Sequence, residues 1–241
     1  MRDYFDEPVA DVYDDDTAMF DAAVVGPAVD FLADLAGEGA ALEFGIGTGR
    51  IALPLSEKGV PVDGIDLSGA MLTRLKEKAG AGAITAVEGD FSSTEMDGSY
   101  ALVYLVFNTI MNLTTQEMQV ACFENAARHL DPGGSFVIEC MVPRLQRLPP
   151  GETLQAFDVS ENHWGVDEID VVSQQLTSHH VQRVDGELRS NALPCRYVWP
   201  SELDLMAQIA GLAPAGRYAG FEREPFTAAS ESHVSVWTLP A

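Results

Sequence analysis

Glu43-Phe44-Gly45-Ile46-Gly47-Thr48-Gly49 follows directly on the apolar residues Ala40-Ala41-Leu42 and leads into Arg50 to Leu55, where a helical pattern resumes. A short apolar run, a glycine-rich turn and a helix in that order form a strand–loop–helix unit. In such a unit, glycines let backbone approach a bound nucleotide closely.

Outward from this unit, the chain keeps alternating. Val60 to Ile65 reads as a second strand ending at Asp66, and Ser68 to Lys78 as a helix capped by Ser68, with Met71, Leu72 and Leu75 as its apolar stripe. Ile84 to Val87 predicts a third strand, closed by Glu88-Gly89-Asp90, and the unbroken apolar run Tyr100 to Phe107 a fourth, buried on both faces. Gln116 to Leu130 has helical period, and Asp131-Pro132-Gly133-Gly134 predicts a turn into the strand Ser135 to Met141. Strict strand–helix alternation predicts a doubly wound, mostly parallel α/β sheet with right-handed crossovers.

The pattern changes after Pro143. Pro149-Pro150-Gly151 breaks the chain, and Asp185-Gly186 divides strand-like runs as a hairpin turn would. Residues 143–198 are therefore expected to form an inserted antiparallel cap. The core would comprise 1–142 and 199–241, with a helix from Pro200 and final strands at Arg217 to Phe221 and His233 to Leu239. Upstream of the glycine loop, Asp11, Tyr13, Asp14, Asp15 and Asp16 precede a helix over Phe20 to Leu35, which suggests a helical N-terminal lid.

The 241 residues carry 37 Asp and Glu against 14 Lys and Arg, a formal charge of −23. A phosphate backbone is bound by releasing counterions with basic side chains, so this field opposes nucleic-acid binding and suits a small neutral or cationic partner. No apolar stretch approaches a membrane span and no basic leader precedes an apolar run, so the expected setting is cytoplasmic and no membrane partner is expected. Cys122, Cys140 and Cys195 are too few and too scattered for a disulfide framework or a zinc site, and are expected as buried core thiols; no metal is expected. His179 and His180, adjacent on a strand, point to opposite faces and cannot share one site. A homodimer is compatible with the sequence.

The glycines are spaced G-x-G-x-G, with Glu43 two positions before the first, whereas the dinucleotide fingerprint runs G-x-G-x-x-G. The loop resembles motif I of the class I S-adenosylmethionine-dependent methyltransferases. Gly64-Ile65-Asp66-Leu67-Ser68-Gly69-Ala70-Met71-Leu72 resembles their motif II and Gly89-Asp90-Phe91 their motif III. The resemblance, firm over about residues 40 to 142, is to small-molecule enzymes such as sugar N,N-dimethyltransferases and glycine N-methyltransferases. It implies a Rossmann-like, seven-stranded methyltransferase fold and S-adenosylmethionine as cofactor, with S-adenosylhomocysteine as product. Glu43, Gly45, Gly47, Gly49 and Arg50 would serve the amino-acid part. Asp66 would take the ribose, Leu67 and Met71 would flank the cofactor, Asp90 and Phe91 would hold and cover the adenine, and Phe107 would complete the site.

Tyr13 resembles a tyrosine that closes over the cofactor in the sugar enzymes, packing within the lid being the alternative. Where those relatives carry His-Leu, this chain has Asn112-Leu113, so no histidine base is assigned there; Asn108, Asn112 and Tyr13 are the candidate catalytic residues. Asn112, Met141, Arg196, Tyr197 and Trp199 are the candidate residues against the acceptor. The resulting expectation is methyl transfer to a small molecule, a specialised metabolite, with nitrogen slightly favoured over oxygen. The alternatives are a cofactor-binding regulatory or interaction protein without turnover and a nicotinamide-dependent oxidoreductase, which the glycine spacing disfavours.

Overall fold

The computed structural model describes the chain except Met1, Arg2, Asp6, Asp15, Asp16, Ala79 and Asp185. The expected roles of Asp15 and Asp16 in the acidic segment, and of Asp185 in the hairpin, therefore lie outside the described residues.

In chain order the helices are α1 (Glu7–Tyr13), α2 (Ala22–Ala36), α3 (Ala52–Glu57), α4 (Gly69–Glu77), α5 (Gln116–His129) and α6 (Pro200–Ile209). The strands are β1 (Ala41–Phe44), β2 (Val62–Asp66), β3 (Thr85–Glu88), β4 (Tyr100–Leu105), β5 (Leu130–Met141), β6 (Leu154–Val159), β7 (His163–Asp170), β8 (Gln175–Val184), β9 (Glu187–Arg196), β10 (Ala213–Tyr218) and β11 (Ser232–Thr238). Seven of them form one sheet in the order β10-β11-β5-β4-β1-β2-β3. The pairs from β3 across to β5 are parallel, and β11 runs antiparallel to both β5 and β10.

Side-chain alternation explains why the central strands are largely apolar. Leu42, Phe44, Val103, Leu105, Phe136 and Ile138 pack into one buried cluster with α5 and α6, whereas Ala41, Leu102, Tyr104 and Val137 pack into a second with α2, α3 and α4. Successive residues on a strand face opposite sides, so a sheet covered twice needs apolar residues at every position. Helix starts follow local chemistry. Asp21, Ser68 and Thr115 each accept from a backbone N–H of the first turn of α2, α4 and α5, and Pro200 opens α6 where its missing N–H costs nothing.

Two expected boundaries shift. Asp131 to Gly134 lies inside β5 as an irregularity between the Tyr100–Leu130 and Leu102–Ser135 pairings, because the chain starts pairing with β4 before the turn residues and resumes after them. The penultimate strand begins at Ala213 and ends at Tyr218, paired along β11 from Thr238 to Val234, so its register follows that partner rather than the Arg217 to Phe221 run.

The inserted segment forms a separate antiparallel sheet, β6-β7-β8-β9. Its last hairpin closes with Val184 opposite Glu187. Ile169, Leu176, Cys195 and Tyr197 join the buried cluster of α5 and α6, which seats this sheet on the core. The three cysteines are free and buried. Among the described residues no helix is long and apolar enough to cross a membrane, and no group of three His, Cys, Asp or Glu could hold a metal ion.

Candidate active site

The carboxyl ends of β1, β2, β4 and β5 converge below the inserted sheet, the crevice where doubly wound folds place ligands. At β1 the loop turns three times through positive φ, at Gly45 (74°), Gly47 (53°) and Gly49 (83°). A side chain at Gly45 would also meet Thr109 Cγ2 at 2.7 Å, and one at Gly49 would meet Leu75 Cδ1 at 2.5 Å. Gly49 thus serves the packing of the loop on α4 and Gly45 its close approach to Thr109, whereas a side chain at Gly47 would meet nothing nearer than 4.0 Å.

Glu43 is buried and accepts a 2.9 Å hydrogen bond from Tyr104 Oη. Burial pushes its carboxyl up to about 8, against the lowering effects of Tyr104 and Arg50. Asp66 closes β2 and braces the loop: Oδ2 accepts from Gly47 N at 2.7 Å and Oδ1 from Ser68 N at 2.8 Å. Its pKa is raised by burial, which those two N–H groups oppose. Arg50 stands with Cζ 3.5 Å above the Phe107 ring, and its Nη1 is buried with no hydrogen-bond partner among the described residues.

After β4 the chain makes a strained corner. Phe107 and Asn108 both have positive φ, 56° and 61°, which non-glycine residues rarely adopt. β5 holds them there. Glu139 Oε2 accepts from Phe107 N at 2.5 Å, Glu139 O accepts from Asn108 N at 3.3 Å, and Asn108 Oδ1 accepts from Met141 N at 2.6 Å. Glu139, which the sequence reading passed over, is therefore what aims Phe107 over Arg50.

The N-terminal segment lies across this corner and the loop. Ser68 Oγ donates to Phe5 O at 2.6 Å, Thr48 Oγ1 donates to Asp14 Oδ1 at 2.7 Å, Lys78 pairs with Asp14 at 2.6 Å, and Arg74 pairs with Asp11. Part of the acidic cluster thus fastens this segment to α4 and the glycine loop. Tyr13 is carried inward edge-on to Phe5, and burial raises its pKa.

Two cavities result. The larger, about 550 Å³, is bounded by Tyr13, Glu43, Gly45, Gly47 and Arg50 on one side, and by Phe107, Asn108, Asn112, Met141 and Tyr197 on another. The smaller, about 100 Å³, is bounded by Asp66, Leu67, Met71 and Phe91 and shares Tyr13, Gly45, Gly47 and Asn112 with the first.

Four expected site residues line neither cavity. Gly49 packs behind the loop. Asp90 closes its own turn by accepting from Ser92 N and Oγ at 2.9 and 2.7 Å. Arg196 is tied to Gln119, Gln174 and Glu202, and Trp199 precedes α6 as its N-cap residue. Conversely, the inserted sheet brings in Gln155, Phe157, Asp167, Ser178 and His180. Strand alternation from the buried Leu176 puts Ser178 and His180 on one face and turns His179 outward to Glu168.

The geometry matches that of known proteins. A family profile described as "Methyltransferase domain" matches residues 41–134. The cypemycin N-terminal methyltransferase of a Streptomyces species is 30% identical over 200 residues, 81% of each chain. The solved structure of the CcbJ methyltransferase from Streptomyces caelestis superposes with a TM-score of 0.81 at 37% identity, covering 89% of both chains. The S-adenosylmethionine-bound amino pentose methyltransferase CalS10 of Micromonospora echinaspora shares the fold at a TM-score of 0.67 and 20% identity, again over 89% of both. With the glycine loop, the strand order and a relative alike over four-fifths of its length all agreeing, the chain belongs to the class I S-adenosylmethionine-dependent methyltransferases of the small-molecule type.

Proposed function

We propose that this methyltransferase transfers its methyl group to the nitrogen of a small specialised metabolite held between the core and the inserted sheet, which acts as a cap. The observation that carries this reading is the larger cavity, which runs without a break from the glycine loop to the inner face of that sheet.

The residues fit the cofactor. The unpartnered Arg50 nitrogen needs a buried acceptor, which an α-carboxylate provides, and the adjacent Glu43 suits an α-ammonium group. The smaller cavity, with Asp66 at one side and Leu67, Met71 and Phe91 around it, suits a ribose and an adenine. When bound, the sulfonium supplies an electrophilic methyl group and its own leaving group. The chain's residues then have to align an acceptor and exclude water. Tyr13, carried in by the N-terminal segment, walls the junction of the two cavities, and Phe107, fixed by Glu139, walls the larger one.

The acceptor side is mostly apolar, through Met111, Met141, Leu145, Ile169 and Leu176, with a carboxyl at Asp167 and an imidazole at His180. Apolar walls favour the neutral, nucleophilic form of an amine, and the acidic field favours its approach as a cation. The name of the cypemycin N-terminal methyltransferase supports nitrogen as the acceptor.

A panel of primary and secondary amines, alcohols and phenols incubated with methyl-labelled S-adenosylmethionine tests this. Labelled amines are expected. Label confined to hydroxyl compounds would overturn the nitrogen assignment, and saturable cofactor binding with no labelled acceptor would favour a binding protein without turnover. For the cofactor itself, Asp66→Ala is expected to weaken S-adenosylmethionine and S-adenosylhomocysteine at least about tenfold by calorimetry, since it removes the ribose acceptor and one brace of the loop. Unchanged affinity would remove Asp66 from the site.

A further inference from the structure

The inner face of the inserted sheet carries a hydrogen-bonded row that ends in the larger cavity. Asp158 Oδ2 lies 2.5 Å from His163 Nδ1, and His163 Nε2 lies 3.0 Å from His180 Nδ1. The two imidazoles lie 5.2 Å apart and 22° from parallel, with the Phe157 ring edge-on to His180 at 5.4 Å. Gly165, paired with both Asp158 and His180, leaves room for Phe157, which a side chain there would strike.

An ionised carboxylate only accepts, so a neutral His163 carries its proton on Nδ1 and has a bare Nε2. That nitrogen can in turn only accept, so His180 also carries its proton on Nδ1. The lone pair left over is His180 Nε2. Its neighbour is Ser178 Oγ at 3.2 Å, whose single proton is also drawn to the carboxylate of Asp167.

We propose that His180 is the proton acceptor of the transfer reaction, taking at Nε2 the proton given up by the acceptor's ammonium group, with His163 and Asp158 as positioning residues that hold its tautomer. This rests on the reading of the acceptor as an amine. The proton passes to His180. The freed nitrogen lone pair forms the N–C bond to the methyl as the C–S bond breaks, its electron pair staying on sulfur. A protonated N-methylamine and a neutral thioether leave, and His180 returns its proton to solvent.

The groups acting on His180 are His163 and Asp167 from β7 and His179 on its own strand, with Asp158 of β6 behind His163. Burial holds the imidazole below its ordinary value, while Asp167 opposes it, so at neutral pH it is uncharged and able to accept.

Nitrogen-15 NMR of histidine-labelled protein saturated with S-adenosylhomocysteine tests the row directly. His180 is expected as the Nδ1–H tautomer, with Nε2–H appearing in Asp158→Asn. Benzylamine is expected to move the Nε2 resonance away from its bare value. His180 found with its proton on Nε2 overturns the proposal whatever the acceptor. In turnover, His180→Gln is expected to lower kcat about 100-fold at pH 7, with KM for S-adenosylmethionine within about twofold. The deficit should shrink toward pH 10, where solvent has already removed the ammonium proton. Amines labelled in the panel together with an unmoved Nε2 and an unchanged kcat would overturn the relay and leave the amine reading standing. Label confined to phenols would overturn the amine reading, and the same two readouts with that phenol would then decide the relay.

Discussion

Replacing Arg50 by methionine is expected to weaken S-adenosylmethionine and S-adenosylhomocysteine more than a hundredfold while leaving the free protein as stable as before. The guanidinium lies flat on Phe107, 3.5 Å from its ring, a contact the methionine thioether can keep. Nη1 is buried without a partner, a cost the free protein bears and the substitution removes. Truncating one member of a buried charge pair costs about 2–5 kcal/mol, and about 3 kcal/mol is already more than a hundredfold in affinity. The control is methylthioadenosine, which keeps adenine, ribose and sulfur but has no α-carboxylate. It should bind both proteins alike by calorimetry. Equal loss for both ligands would mean that Arg50 supports the loop rather than the carboxylate, and no loss for either would remove it from the site.

Arg50 also shows what could be read in advance. Its place after Gly49 was legible because strand, loop and helix are contiguous, and contiguous signals survive into the fold. The same is true of Asp66, which ends β2 and reaches Gly47 as a residue on the neighbouring parallel strand must. Glu139 was not legible. It reads as one polar residue in a buried strand, and only the pairing of β5 with β4 brings it to Phe107 and Asn108. The inserted sheet was legible as antiparallel strands, and alternation correctly separated His179 from His180. The row from Asp158 through His163 depends on the irregular step between Ala156 and Asp158 in the β6–β7 ladder, which decides the face on which Asp158 lies. A bulge of that kind has no signature in residue order. Asp90 shows the converse: the triplet was legible as a strand-end turn, but not that the following Ser92 offers Asp90 Oδ1 two nearby donors.

Arg196→Met is expected to lower the thermal midpoint on the order of 10 °C. The sequence places Arg196 where the inserted sheet rejoins the core, which suggested a pocket residue; three separate elements instead converge on it. Arg196 is 5% exposed and donates to Gln119 Oε1 of α5 at 2.5 Å, Gln174 Oε1 between β7 and β8 at 3.0 Å, and Glu202 Oε1 of α6 at 2.7 Å. Gln119 returns a bond to Arg196 O and Gln174 one to Tyr197 O, so the network is closed on both sides. Burial alone would raise the Glu202 carboxyl, but bonds from Gln174, Arg196 and Gln116 outweigh it and hold the group below its ordinary value. Its contribution is therefore present at neutral pH and lost as pH falls through the lowered folded value.

Removing the guanidinium leaves a partly buried carboxylate and two amides short of a donor, which costs about 3 kcal/mol, and each kcal/mol moves the midpoint about 2–4 °C in a chain of this size. The double variant Arg196→Met with Glu202→Leu should recover most of that, because the stranded charge is gone and the replacements are apolar and of similar length. A single variant as stable as the parent would show that Arg196 is not the pin. The damage should also be one-sided. The network joins the inserted sheet to α5 and α6, whereas the glycine loop is braced by Asp66 and Asp14. Well below the midpoint, S-adenosylmethionine affinity should therefore hold within about threefold while KM for the acceptor rises, since the acceptor side of the cavity is the side whose wall has lost its anchor.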